Sequence, residues 1–208
     1  MSDRGFEILS REICYEGFFR LERLRLRHSL HAGGMGPVLV RERVERGDVA
    51  AVLPYDPVRD EVVLIEQFRV GALDDPGGAW MTEVVAGLIE PGETPEEVAR
   101  REAVEEAGCI LGELVPIARF YASPAKSSER SHLFCGRADA SDAGGIHGLA
   151  HEGEDIRVLP MAFDEAWSLL RSGGIDSAWP IIALQWLAAN REALRRRWCE
   201  GSAASFGS

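Results

Sequence analysis

Residues 87–109 read GLIEPGETPEEVARREAVEEAGC and place Glu93, Glu102, Glu105 and Glu106, four of the segment's seven glutamates, around one loop and one short helix. Glu102 and Glu106 stand four apart, so a helix presents both on one face, and Glu105 borders that face. Like charges at this spacing cost about 0.2–0.5 kcal/mol per pair. A divalent cation is the simplest offset. All-oxygen ligands suit Mg²⁺, with Mn²⁺ as a substitute, because these ions keep several waters and bind through a few carboxylates plus substrate phosphates. Glu93 lies in the preceding loop and can reach the same region, and Arg101 can hold Glu105 at i, i+4. The competing reading is a solvated acidic face, the default for an arbitrary glutamate-rich helix.

The helix that must position these carboxylates is clearly punctuated. Thr94 suits the N-cap, Pro95 the first helical position, and Glu97 completes a T-x-x-E capping box. Gly108 is a natural stop. The spacing predicts a helix over Pro95–Ala107, with Ala99, Ala103 and Ala107 as a narrow apolar stripe able to sit close against a sheet.

Strand patterns surround it. The alternating Leu and Arg of FFRLERLRLRH and the returning VLVRERVERG predict a small β unit over residues 1–45. AAVLPYD, EVVLIEQFRV, WMTEVVAG, LVPIARFYASP, SHLFCGRAD and EDIRVLPMAF read as further strands. ASDAGGIHGLAHEGED reads as a long Gly-rich loop. DEAWSLLRSG and WPIIALQWLAANREALRRRW read as helices, with Arg195, Arg196 and Arg197 suiting the negative end of the second helix dipole. The tail EGSAASFGS is expected to fray. The pattern predicts an α+β fold with a mixed sheet, divided into residues 1–45 and 46–208.

The net charge of -11 argues against nucleic acid or an anionic membrane as partner, since both demand clustered Lys and Arg. A phosphate substrate stays open, because a bound metal reverses the local sign. Cys14, Cys109, Cys135 and Cys199 are scattered without zinc-ligand spacing and fit free thiols in a reducing cytoplasm. The N-terminus lacks a signal-peptide core, and WPIIALQWLAA is too short to span a membrane.

The order of residues in the acidic segment weighs against a bland surface helix. It matches G-x5-E-x7-R-E-U-x-E-E-x-G-U, with U apolar. Gly87, Glu93, Arg101, Glu102, Glu105, Glu106 and Gly108 fill every fixed position, and Ala103 and Cys109 the apolar ones. The segment resembles the signature of the Nudix hydrolases. That resemblance implies an α/β/α sandwich with a mixed sheet, cleavage of nucleoside diphosphates linked to a further group, and divalent metal on Glu102 and Glu106.

The flanks RGDVAAVLPYDPVRDEVVLIEQFRVGA, YASP, SERS, GIHGLA and EGEDIRV are similar to the ADP-ribose pyrophosphatase group, whose marker proline is matched by Pro124. The resemblance implies a domain-swapped homodimer acting on a nucleoside diphosphate sugar. Phe18, Phe19, Arg41 and Glu42 would serve the adenosine end. Arg46, Arg69, Ser123 and Glu129 would serve the phosphates or terminal ribose. The Ala86 carbonyl and Glu154 would join Glu102 and Glu106 on metal, Glu152 would be the general base, and Glu105 and Arg101 would support catalysis. The expected reaction is hydrolysis of ADP-ribose to AMP and ribose 5-phosphate. Ala125 and Lys126 stand where the family usually has Gly-Gly, which keeps GDP-mannose or another nucleotide sugar open as substrate. A non-catalytic nucleotide sensor is the alternative from a different class.

Overall fold

The computed structural model describes residues 4–200. Residues 201–208 of the tail expected to fray lie outside the described residues. The chain divides into two compact units, residues 1–48 with 120–130, and residues 49–119 with 131–208.

The first unit is an antiparallel sheet of β1 (Phe6–Glu16), β2 (Arg20–His28) and β3 (Leu39–Glu45), in that order. The sequence pattern does not mark β1, because its pairing with β2 shifts register between Ile8 and Ser10 and again between Ile13 and Tyr15. Such bulges break the period of two that betrays a strand. Charge pairs lace the sheet. Glu22 is only 1% exposed, and its carboxylate takes Arg43 at 2.6 Å and Arg11 at 3.3 Å. Burial works against its charge, but those arginines and Arg20 prevail and hold the carboxyl below its ordinary range. Every residue of β1 is exposed, Phe6, Ile8, Ile13 and Tyr15 among them. The segment after Phe120 docks on β3: Val44 N–H donates to the Lys126 carbonyl at 2.8 Å, and Ser128 N–H donates to the Val44 carbonyl at 3.1 Å.

The second unit is built on β4 (Val49–Asp56), β5 (Glu61–Phe68), β6 (Trp80–Glu83), β7 (Val85–Leu88), β8 (Leu114–Tyr121), β9 (Arg130–Arg137), β10 (Ile146–His147) and β11 (Ile156–Ala162). The main path is β10-β11-β5-β4-β9-β8, with β6 on β5 and β7 on β4. The β4–β9 pairing is parallel, whereas β4 pairs antiparallel with β5 and β7, so the sheet is mixed. This agrees with the α+β expectation.

Three helices complete the unit: α1 (Pro95–Ala107), α2 (Phe163–Ser172) and α3 (Ala178–Arg195). Alternate residues of the strands serve the two faces. Val52, Val63, Ile65, Val85, Ile156 and Val158 share one core cluster with Val98, Ala99, Ala103 and Ala107 of α1. Tyr55, of the opposite parity to Val52, meets Trp198 just past α3, ring centroids 6.3 Å apart. Leu184 and Leu187 of α3 are fully buried. The sheet is thus covered by helices on both faces.

The arginines at and beyond the end of α3 do not simply cap its dipole. Arg195 pairs with Asp60 at 3.3 Å and donates to the Pro57 carbonyl at 3.0 Å, and Arg197 pairs with Glu113. A full carboxylate charge outcompetes the half charge of a helix end. All four cysteines are free. Among the described residues no helix is long and apolar enough to cross a membrane.

Candidate active site

The acidic helix forms as its punctuation predicts. Thr94 accepts the Glu97 N–H, and the Glu97 carboxylate accepts the Thr94 N–H at 2.8 Å, closing the capping box. At the other end Gly108 adopts a left-handed φ of 64°, its N–H donating to the Val104 carbonyl while the Cys109 N–H reaches the Ala103 carbonyl. A side chain in that conformation is strained, which is why glycine ends the helix.

Ala99, Ala103 and Ala107 are 0–1% exposed. Their small size lets α1 lie close to β7, and the acidic face meets the sheet beside this stripe. The Glu102 carboxylate lies where a Cβ on Gly87 would be. Glu106 Oε2 accepts the Ala86 N–H at 2.9 Å.

Glu106 is 3% exposed. Burial pushes its pKa up to about 8, and the charges of Glu102 and Glu154 push the same way, against the Ala86 N–H and Arg69. Glu102 is raised chiefly by burial too, with Arg101 opposing. Both need positive charge to ionise comfortably.

Arg101 is the hub of the cluster rather than a partner of Glu105 alone. Its Nη1 donates to Glu102 at 2.8 Å and to Glu105 at 3.1 Å, and its Nε to Glu93 at 3.1 Å. Burial opposes its charge, but these carboxylates outweigh burial and bind its proton more tightly than usual. Glu93 is held below its ordinary range by Arg101 and by the Glu90 N–H. Sequence spacing shows the pair at i, i+4 but not the loop that folds Glu93 back onto the same guanidinium.

Glu106 has no ion pair among the described residues, so the deepest carboxylate of the α1 cluster is also the one short of countercharge. Two desolvated carboxylates with a third carboxylate in electrostatic reach fit a hard divalent cation. Among the described residues no three His, Cys, Asp or Glu side chains form a ready-made metal cage. Arg101 already occupies one oxygen of Glu102. The donor set is therefore suited to a cation that keeps waters and shares substrate oxygens.

Arg69 is engaged with Glu83 at 2.6 Å, whose other oxygen accepts the Ser177 hydroxyl at 2.9 Å. The stretch read as a long Gly-rich loop contains β10 and a 3-10 turn, Ala150–Glu152. Glu152 ends that turn, 57% of its side chain exposed, with His151 Nε2 3.7 Å away. Glu154 Oε2 accepts the Leu149 N–H at 2.9 Å.

The remaining candidates belong to the first unit. Phe18 and Phe19 meet edge to face at 4.8 Å, and the Arg46 guanidinium stands 3.5 Å over the Phe18 ring. Both phenylalanines are exposed. Arg41 turns back to the Val40 carbonyl at 2.8 Å, and Glu42 pairs with Arg23 at 3.4 Å. The Ser123 carbonyl accepts the Lys126 and Ser127 N–H groups at 3.1 and 2.9 Å. Glu129 is raised above its usual range by burial and by Asp48.

The NUDIX domain model matches residues 45–182. The chain belongs to the NUDIX family. Within it, the protein is 51% identical over 192 residues to the ADP-ribose pyrophosphatase of Escherichia coli (strain K12), covering 92% of each chain. It is 42% identical over 200 residues to the ADP-ribose pyrophosphatase of Haemophilus influenzae, covering 95% of this chain and 92% of that one. The GDP-mannose pyrophosphatase of Cronobacter sakazakii is more distant, 39% identical over 153 residues, with 71% and 76% covered. A crystal structure of an ADP compounds hydrolase shares the NUDIX fold with a TM-score of 0.66 at 22% identity, over 95% of each chain.

Proposed function

We propose that the protein is a metal-dependent ADP-ribose diphosphatase that releases AMP and ribose 5-phosphate. The observation that carries this reading is the carboxylate pair on α1, half-buried Glu102 held by Arg101 and buried Glu106 held by the Ala86 N–H. The 51% identity to an ADP-ribose pyrophosphatase supports the choice of substrate.

Glu102, Glu106, Glu154 and the Ala86 carbonyl are the proposed holders of Mg²⁺, with Mn²⁺ as a substitute. Such an ion, when bound, neutralises the diphosphate and acidifies a water. Arg101 keeps Glu102 and Glu105 in fixed rotamers, so the acidic face is ordered before substrate arrives. Glu152, exposed on its turn, takes the proton of the attacking water. Arg69 and Arg46 supply charge for the phosphoryl oxygens. Ser123 and Glu129 address the phosphates or terminal ribose. Phe18, Phe19, Arg41 and Glu42 address the adenosine end, where exposed aromatic rings suit a base.

The protein is further proposed to act as a homodimer in the cytoplasm. Phe6, Ile8 and Ile13, all exposed and paired across β1–β2 with residues of one face of β2, are an apolar surface that a partner copy would cover. Residues 1–45 are its proposed swapping domain and 46–208 its hydrolase domain. Light scattering on the purified chain tests this: a monomer at micromolar concentration overturns it.

The deciding assay is a substrate panel with Mg²⁺. kcat/KM for ADP-ribose should exceed that for GDP-mannose and other nucleotide sugars. A preference for GDP-mannose would transfer the assignment, and no AMP from any substrate would revive the sensor reading. In ¹⁸O-labelled water the label should appear in AMP. Label in ribose 5-phosphate would contradict attack at the adenosyl phosphate.

A further inference from the structure

We propose that His147 and Gly148 are positioning residues that hang the Glu152 loop from the C-terminal end of α1. The proposal rests on the reading of Glu152 as proton acceptor. It adds how the chain sets that carboxylate relative to Glu102 and Glu106.

Residues Leu149–Glu154 form one small folded piece. The Leu149 carbonyl accepts the Glu152 N–H at 2.8 Å and the Glu154 N–H at 3.3 Å. Glu154 Oε2 closes the same loop by accepting the Leu149 N–H at 2.9 Å. The 3-10 turn that carries Glu152 is therefore internally fixed, and its place depends on what holds its ends.

Gly148 is one attachment. Its N–H donates to the Glu105 carbonyl at 3.2 Å, one of the last-turn carbonyls that a helix leaves without an internal partner. Its φ is +100°, and a Cβ there would stand 2.7 Å from Glu154 Cβ. Only glycine lets the two ends of the loop meet at this point.

His147 is the other. A Cβ on Gly108 would lie 2.8 Å from His147 Cε1, so the imidazole packs directly against the glycine that ends α1. Its Nε2 is 2.9 Å from the Gly144 carbonyl. A carbonyl can only accept, so Nε2 carries the proton. The ring thus clamps residues 144–147 to the helix end through packing at Cε1 and a hydrogen bond at the adjacent Nε2. The helix that presents Glu102 and Glu106 also presents, through this clamp, the loop that bears Glu152. An error in such a link is costly, since misplacement of about 1 Å can lower rates by about 100-fold.

The test uses the full chain with His147→Ala and His147→Gln, the latter keeping an N–H donor for Gly144. His147→Ala should lower kcat for ADP-ribose by about 10- to 100-fold while KM stays near the parent value and Mn²⁺ affinity falls by less than kcat, since Glu154 is the one proposed metal holder on this loop. Deuterium uptake at residues 147–154 should rise, and His147→Gln should restore most of both. Parent-like kcat and parent-like exchange in His147→Ala would overturn the proposal. So would a loss of kcat that follows a fall in melting temperature and is not recovered by His147→Gln. If the parent protein hydrolyses no ADP-ribose, the substrate assignment fails by itself, and the exchange comparison still decides whether His147 holds the loop.

Discussion

The Glu106 carboxylate reaches from α1 to β7 and accepts the backbone N–H of Ala86 at 2.9 Å. One side chain therefore ties α1 to the sheet and brings a carboxylate beside the Ala86 backbone. Burial to 3% exposure raises its pKa, a condition that a cation would relieve.

Replacing Glu106 by Gln keeps an oxygen able to accept from Ala86 and removes the charge. The fold should persist, with a melting temperature no lower than the parent's in the absence of metal. kcat should drop by about 10²–10³, the loss expected for one electrostatic stabiliser. Near-normal turnover of this variant at saturating Mg²⁺ would refute its place on the metal face.

Gly87 makes room for Glu102, whose carboxylate occupies the space of a Cβ at that position. Gly87→Ala should displace this carboxylate, or α1 with it. Mn²⁺ affinity, read by electron paramagnetic resonance, is expected to weaken by about tenfold, on the order of 1.4 kcal/mol, with circular dichroism preserved. Unchanged affinity would show that Glu102 does not hold the ion in this arrangement.

Glu152 stands exposed on its turn, 57% of its side chain accessible. Glu152→Gln should cause a large fall in kcat with metal affinity nearly intact. Weak metal binding accompanied by a modest fall in kcat would identify Glu152 as a ligand instead.

The pH dependence of the metal-free protein has a definite sign. Folding raises the Glu106 pKa from an ordinary 4.5 to about 8, and Glu102 moves in the same direction. Protonated Glu106 supports the folded state fully below the unfolded pKa. That support is lost as pH rises through about 8, because the unfolded chain ionises first. Calorimetry in EDTA should show the melting temperature falling between pH 5 and pH 8.5, and Glu106→Gln should flatten the slope. A slope that the substitution leaves unaltered would place the titration elsewhere.

Much of the site was legible because its signals are local. The capping box, the left-handed Gly108 and the i, i+4 pair Glu102–Glu106 all follow from spacing within one helix. The β10 strand and the 3-10 turn before Glu154 were not legible, since a Gly-rich stretch has no periodicity and takes its shape from the helix end it meets. β1 stayed hidden for a related reason: its bulges break the alternation that strand reading depends on.

By itself the sequence determined the helix, the residues it presents and the family to which the chain belongs. Those depend on side-chain order and on caps that form within a few residues. Only the tertiary structure decided that Arg101 gathers Glu93, Glu102 and Glu105 together. It also decided that Glu106 is desolvated against Ala86 and that the Glu105 carbonyl holds the loop carrying Glu152. Burial and contacts between distant segments set charge state and position, and neither is encoded in the spacing of any one segment.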